Sequence, residues 1–99
     1  LEGRSNVHDS LGSPSDMLHA YHPGTDPLYR VVTHPLNFQL AGGDSQTIDL
    51  LIHFEELFTH GDGIDLRTEP QTHSEPVDIH IARKFMDNLA ATAEIRLLN

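Results

Sequence analysis

Residues 45–60 carry seven large apolar side chains, and this segment constrains the fold more than any other part of the chain. At about 100° per residue, the apolar positions cover well over half the circumference of a helix. Ser45 suits the N-cap, and Gly61 suits the position that follows the last helical turn. We therefore predict a helix from Ser45 to about His60, with the apolar positions Ile48, Leu50, Leu51, Ile52, Phe54, Leu57 and Phe58.

Four shorter segments have the composition of strands, and one longer segment has the period of a helix. Residues 28–34 are rich in β-forming side chains, and residues 36–40 alternate between apolar and polar. Residues 64–68 and 77–81 alternate in the same way. Residues 82–98 repeat apolar side chains at helical spacing. The predicted order is ββαββα, which indicates an α+β fold with two helices on one face of a small antiparallel or mixed sheet.

Asp78 decides between two interpretations of the segment before the second helix. A helix that begins at Ser74 would use Pro76 in its first turn. That helix would place Asp78 in the middle of its apolar arc. We therefore prefer a strand over residues 77–81.

The first 27 residues differ in composition from the rest of the chain. Residues 1–27 are rich in Ser, Gly, Pro, Asp and His and show no sustained period, so we expect an irregular arm or linker. Residues 1–4, Leu-Glu-Gly-Arg, resemble the recognition sequence of a processing protease, so a cloning origin is one interpretation of them. Residues 28–99 are expected to form a single domain.

The charge and the lack of cysteine exclude several classes of function. Fifteen acidic residues against six basic ones give a formal net charge of −9, which argues against binding to nucleic acids or to anionic membranes. No apolar run approaches the roughly 20 residues of a membrane-spanning helix. The absence of cysteine excludes disulfides and thiol catalysis. We expect a soluble protein, with the cytoplasm favoured.

Eight histidines make the net charge depend strongly on pH. Full protonation would take the charge from −9 to −1, and histidine in model peptides titrates near pH 6.5. Solubility should therefore fall on acidification to about pH 5. Such a composition suits a pH sensor, and it equally suits an acidic protein that is merely rich in histidine.

A polar stripe on the predicted helix forms a candidate metal site. Its members follow i, i+4, i+7 and i+11 spacing, so neighbouring pairs lie within reach of one ion. Zinc or another divalent ion is the expected metal, and His73 or His80 would complete the ligand set. The alternative interpretation is an ordinary solvent-facing stripe. The polar stripe consists of Asp49, His53, Glu56 and His60.

A second candidate site is the turn that follows the helix. Glycines at 61 and 63 let the backbone approach a ligand closely, and His60, Asp62 and Asp65 supply polar groups. The same residues are typical of a helix end followed by a turn. No nucleotide-binding glycine loop or serine-nucleophile motif occurs in the chain.

Two functions remain open. The leading hypothesis is a non-enzymatic interaction or assembly module, which oligomerises or docks on a protein partner through helix 45–60. Its expected interface residues are Leu50, Phe54, Leu57 and Phe58. The alternative is a metal-binding or metal-dependent hydrolytic domain that uses His53, Glu56 and His60. No cofactor other than this metal is expected.

Overall fold

The computed structural model describes residues 1–8 and 14–98 of the chain. Strands and helices in this part divide between a three-stranded sheet, a two-stranded sheet and two helices. In chain order the elements are β1 (Glu2–His8), β2 (Pro14–Tyr21), a 3₁₀ turn (Asp26–Leu28), β3 (Thr47–Leu51), α1 (Glu56–Thr59), β4 (Gln71–Thr72), α2 (Ile79–Thr92) and β5 (Glu94–Leu98).

The N-terminal segment forms a hairpin rather than the irregular arm predicted for it. Strands β1 and β2 pair antiparallel, with Glu2 opposite Ala20, and β2 also pairs in parallel with β4. The prediction was wrong because it read local composition, whereas strand pairing depends on partners that are distant in sequence. The central position of β2 buries Ala20 and Tyr21. The division of the chain at residue 28 into an arm and a domain stays a prediction.

The hydrophobic core lies where α2 meets α1 and the end of β2. Its fully buried members come from all of these elements and from the loop after α1. The ring of Tyr21 stacks on Phe85 at 5.7 Å and meets Phe58 edge-on at 5.2 Å. Such aromatic pairs add to the free energy gained by burial alone. The core cluster consists of Tyr21, Leu57, Ile64, Ile81 and Phe85.

The long helix predicted over residues 45–60 does not form. Residues 47–51 are strand β3, and only residues 56–59 are helical. The apolar side chains of Ile48, Leu50 and Ile52 also alternate with period two, and a strand partner in β5 decides between the two periods. The position of the helix end was predicted correctly, since His60 caps α1 and Gly61 follows with a φ of +61°.

The strands predicted between α1 and α2 are replaced by turns and helix. Residues 64–68 turn back on themselves, because the Asp65 carbonyl accepts the Glu69 N–H at 2.7 Å. Helix α2 begins at Ile79 and so replaces the predicted strand 77–81. Asp78 precedes the first helical turn, which removes the objection that favoured the strand.

Two further strand predictions, over residues 28–34 and 36–40, were also wrong. Leu28 ends a 3₁₀ turn, and no helix or strand occurs in residues 29–46. Pro35 lacks an N–H, and β propensity gives a strand only where a partner is present. Exposed apolar side chains are consequently frequent here, including Tyr29 and Val31 at 77% and 73% exposure.

The second long helix forms over only part of its predicted range of residues 82–98. Residues 82–92 are helical as expected, but the chain leaves the helix at Ala93 and continues as β5. The predicted order ββαββα is therefore replaced by βββαβαβ within the part of the chain that the structure describes. The α+β class is confirmed.

The molecule is elongated. Its radius of gyration is 17.6 Å and its principal extents are 62, 28 and 21 Å, whereas a compact domain of about 100 residues has a radius near 13 Å. Neither described helix has the length and apolar character needed to span a membrane.

Candidate functional site

Strands β3 and β5 form a two-stranded ribbon with one wholly apolar side. Residues directly opposite each other share a face, and the register places Ile48 opposite Leu97 and Leu50 opposite Ile95. Ile48 and Leu50 remain 50% and 61% exposed, while their two partners are half-buried. We call these four side chains the apolar face of the ribbon.

The opposite side of the ribbon carries the charged groups, and these have partners close by. Asp49 lies opposite Arg96, and their Oδ2 and Nη2 atoms are 3.7 Å apart. The Nε2 atom of His53 lies 2.7 Å from Oε2 of Glu94. Exposed ion pairs stabilise a fold weakly. Their positions nevertheless show that alternation along both strands separates charge from the apolar face.

The four predicted interface residues divide between surface and core. Leu50 and Phe54 are each 61% exposed, whereas Leu57 is buried at 5% exposure and Phe58 packs against the core. Ile95 and Leu97 were not predicted as interface residues, because they were assigned to a helix. The alternation of Ile95 and Leu97 with charged neighbours was the signal that could have identified them.

The polar stripe loses its helical basis. Asp49 lies in β3, His53 in the following loop, Glu56 at the start of α1 and His60 at its end. Their distribution over three kinds of local structure removes the shared helix face from which the site was inferred. Over residues 1–8 and 14–98, no three His, Asp or Glu side chains are grouped as metal ligands would be. Metal binding stays a prediction.

The turn after α1 is held by contacts of its own. The Ile64 N–H donates to the Phe58 carbonyl at 2.7 Å, and Gly63 adopts a φ of +74°. The Asp65 carboxylate accepts hydrogen bonds from the Arg67 side chain and from its backbone N–H, and these lower the pKa of Asp65. His60 and Asp62 are exposed. A ligand role for this turn stays a prediction.

The two histidines proposed to complete a metal site, His73 and His80, contact residues outside the polar stripe. The Nδ1 atom of His73 lies 3.1 Å from Nδ1 of His22, whose Nε2 atom contacts Glu2 at 2.7 Å. His80 lies 3.9 Å from Glu69, which Lys84 engages through both carboxylate oxygens. Both histidines therefore have local partners of their own.

A pocket of about 210 Å³ opens between the β1–β2 hairpin and α1. Its walls are mostly apolar, and Ser5 and His19 contribute a hydrogen-bonded pair with 2.5 Å between Oγ and Nε2. Sequence reasoning missed both residues, because they lie in the segment interpreted as an irregular arm. The lining residues are Leu1, Glu2, Gly3, Arg4, Ser5, His19, Tyr21, Phe54, Phe58 and Leu66.

Comparison with models of known protein families, with curated proteins and with solved structures finds no match to this chain. Function must therefore be argued from the apolar face of the ribbon and from the pocket.

Proposed function

We propose that the chain is a non-enzymatic assembly module, which forms a homodimer by packing the apolar face of its ribbon against the same face of a second copy. The observation that supports this proposal is the wholly apolar side of the β3–β5 ribbon, on which Ile48 and Leu50 are at least half exposed. Exposed apolar side chains that occur singly need no explanation, but a contiguous group on one face is typical of an interface.

The small size of the ribbon supports the proposal that a partner covers its apolar face. A two-stranded sheet is marginally stable in water unless a further strand or a packed layer supports it. Among the described elements, β3 and β5 pack chiefly on each other and not on α1 or α2. Two ribbons stacked about 10 Å apart would bury both apolar faces, as the two sheets of a sandwich do. Each Å² of apolar surface removed from water contributes about 25 cal/mol.

The distribution of charge favours a second copy as the partner in spite of the net charge of −9. The charged groups of the ribbon lie on its other side, where Asp49 pairs with Arg96 and Glu94 contacts the ring of His53. Local repulsion at the apolar face is therefore small, and repulsion arises mainly from charges farther away. Salt screens such distant charges over about 10 Å at 0.1 M, so added salt should strengthen the dimer.

The small area of the apolar face limits the affinity of the dimer. Stable interfaces bury about 800 Å² on each partner, and four side chains supply less than this. Ile52 and Phe54 follow β3 and are 54% and 61% exposed, so they extend the apolar surface beyond the ribbon. We expect a weak, concentration-dependent association.

Sedimentation equilibrium over a concentration series tests the proposal, with Leu50→Lys as the disrupting variant. Leu98→Lys is the matched control, since it makes the same change on the opposite face of the same ribbon. We expect the wild type and the control to dimerise, more strongly in 0.5 M NaCl, and Leu50→Lys to remain monomeric with unchanged helical circular dichroism. A monomeric wild type at millimolar concentration, or equal loss in both variants, would refute the homodimer.

A further inference from the structure

We infer that the pocket between the β1–β2 hairpin and α1 binds a small, neutral aromatic molecule that carries one hydrogen-bonding group. Its walls come from β1, from Tyr21 on β2 and from Phe58 on α1. The pocket contains none of the four residues of the apolar face, and of the two residues that extend this face it contains only Phe54. Four features of the pocket support the inference: its volume, its aromatic walls, its buried polar pair and the charged groups at its rim.

The volume selects the size of the ligand. An apolar cavity of about 150 Å³ is sufficient for benzene, and this pocket measures about 210 Å³. It therefore accommodates one aromatic ring with a substituent and is small for most drug-sized molecules, whose pockets begin near 300 Å³.

Aromatic side chains determine the ring chemistry. Phe54 and Phe58 lie 5.7 Å apart with their planes tilted by 60°, and Tyr21 meets Phe58 edge-on. Aromatic pairs prefer offset or edge-to-face contact, and Phe54, which is 61% exposed, is the ring most open to such a contact with a ligand. Leu66 adds an aliphatic wall.

Ser5 and His19 provide the polar contact. His19 is only 8% exposed, and its Nε2 atom lies 2.5 Å from Oγ of Ser5. A serine hydroxyl has one proton and two acceptor positions, of which this contact uses one. Ser5 is half-buried and lines the pocket, so a ligand hydroxyl can bond to it. A ligand without such a group would forgo this hydrogen bond.

The same pair has no third member of a catalytic triad among the described residues. A histidine that acts as a general base for serine needs a third group to hold its other ring nitrogen. The Nδ1 atom of His19 is buried and has no hydrogen-bond partner among the described residues. We therefore infer binding without acyl transfer.

Charged groups at the rim of the pocket already have partners, which favours a neutral ligand. Glu2 contacts His22 at 2.7 Å, and Arg4 lies 3.5 Å from Asp16. A carboxylate ligand would compete with Asp16 for Arg4 within a chain of net charge −9. Such a ligand should bind poorly.

Isothermal titration of the full chain with three one-ring probes tests the inference. We expect 4-methylphenol to bind about fivefold more tightly than toluene, which corresponds to one net hydrogen bond, and benzoate not to bind. In Ser5→Ala the affinity for 4-methylphenol should fall to that for toluene, while the affinity for toluene stays unchanged. Leu98→Lys is the control, since Leu98 lies in β5 and does not line the pocket.

Three results would overturn the inference. Absence of toluene and 4-methylphenol binding at millimolar concentration would exclude the pocket as an aromatic site. An equal loss for both probes in Ser5→Ala would exclude the hydroxyl contact, and benzoate binding as tight as that of 4-methylphenol would exclude the neutral class. Thermal unfolding of each variant shows whether a loss of binding reflects a loss of folding.

Discussion

The Tyr21 hydroxyl donates a hydrogen bond to the backbone carbonyl of Glu69 over 2.9 Å. This contact joins the end of β2 to the loop before β4, across 48 positions of sequence. Tyr21 is 1% exposed and stacks on Phe85, so the bond lies against the core. It therefore joins the hairpin to the loop before β4 at the edge of the core.

The environment of Tyr21 makes stability sensitive to alkaline pH. Burial, and then the negative charge of Glu69, raise the pKa of Tyr21 from 10.0 to about 12. A raised pKa favours the protonated form in the fold, so this contribution is complete below pH 10 and is lost as the pH rises to about 12. We expect the Tm of the wild type to fall over this range, and Tyr21→Phe to remove most of the decrease.

Thermal unfolding followed by circular dichroism between pH 9 and pH 12 measures this effect. Tyr29→Phe is the control, because Tyr29 is 77% exposed and lies outside the core. A wild-type Tm that is flat over this range would contradict the prediction, as would an equal decrease in Tyr21→Phe.

Asp78 makes stability sensitive to acidic pH, because its pKa is lowered in the fold whereas that of Tyr21 is raised. Burial raises the pKa of its carboxyl, but hydrogen bonds from the His73 N–H, the Thr72 hydroxyl and the Glu75 N–H outweigh burial and lower it. A lowered pKa gives stability that is present above about pH 4 and is lost as the pH falls further. Asp78→Asn should therefore destabilise the fold at pH 7 by about 1 kcal/mol for each hydrogen bond lost.

Urea unfolding at pH 7, 4 and 3 checks this prediction. The difference between wild type and Asp78→Asn should shrink as the pH falls below 4. Asp62→Asn serves as the control, since Asp62 is exposed in a turn. If the difference in free energy of unfolding is the same at all three values of pH, the charge of the Asp78 carboxylate does not stabilise the loop over residues 72–78.

Gly63 occupies a position that a side chain cannot enter without strain. Its φ is +74°, and a Cβ atom there would lie 3.1 Å from the Phe58 carbonyl oxygen. Left-handed backbone costs an L-residue about 1–2 kcal/mol, and the carbonyl is held by its hydrogen bond from Ile64. We expect Gly63→Ala to lower the free energy of unfolding by about 1–2 kcal/mol or more.

Gly42→Ala is the matched comparison for Gly63. Nothing lies within 4 Å of a Cβ atom at Gly42, so the change should stay within about 0.5 kcal/mol in the same urea experiment. Similar losses at the two positions would show that the turn after α1 tolerates a side chain.

Asn88 connects the two helices by a buried side-chain hydrogen bond. Its Nδ2 atom donates to the Leu57 carbonyl at 2.9 Å, and the residue is 6% exposed. Asn88→Ala would leave that carbonyl without its donor, which costs about 1–3 kcal/mol. We expect a corresponding drop in thermal stability, whereas Asn37→Ala on the exposed segment should have little effect.

Local signals in the sequence predicted some elements of the fold. The apolar period of α2 and the glycine after α1 depend on residues close in sequence, and both were read correctly over 82–92 and at Gly61. Strand β3 was not predicted, because its apolar residues satisfy a helical and an alternating pattern at once. The choice is made by pairing with β5, which lies more than 40 residues away.

The candidate sites also divide into residues that local sequence could identify and residues that only the fold brings together. Leu50 and Phe54 could be named as surface residues because they belong to a dense apolar segment, and both are exposed. Ser5 and His19 come together only through the register of β1 against β2. The polar stripe was inferred from a shared helix face, and its four members lie instead in a strand, a loop and one short helix.

Only Ala93 separates the end of α2 from the start of β5. The orientation of β5 about its own axis is therefore set by the end of α2, because the connection is too short to adjust it. Because side chains in a strand alternate in direction, one residue inserted at this junction would point Ile95 and Leu97 to the charged side, or force the whole pairing with β3 to slip. The length of this connection is thus under tighter constraint than its composition.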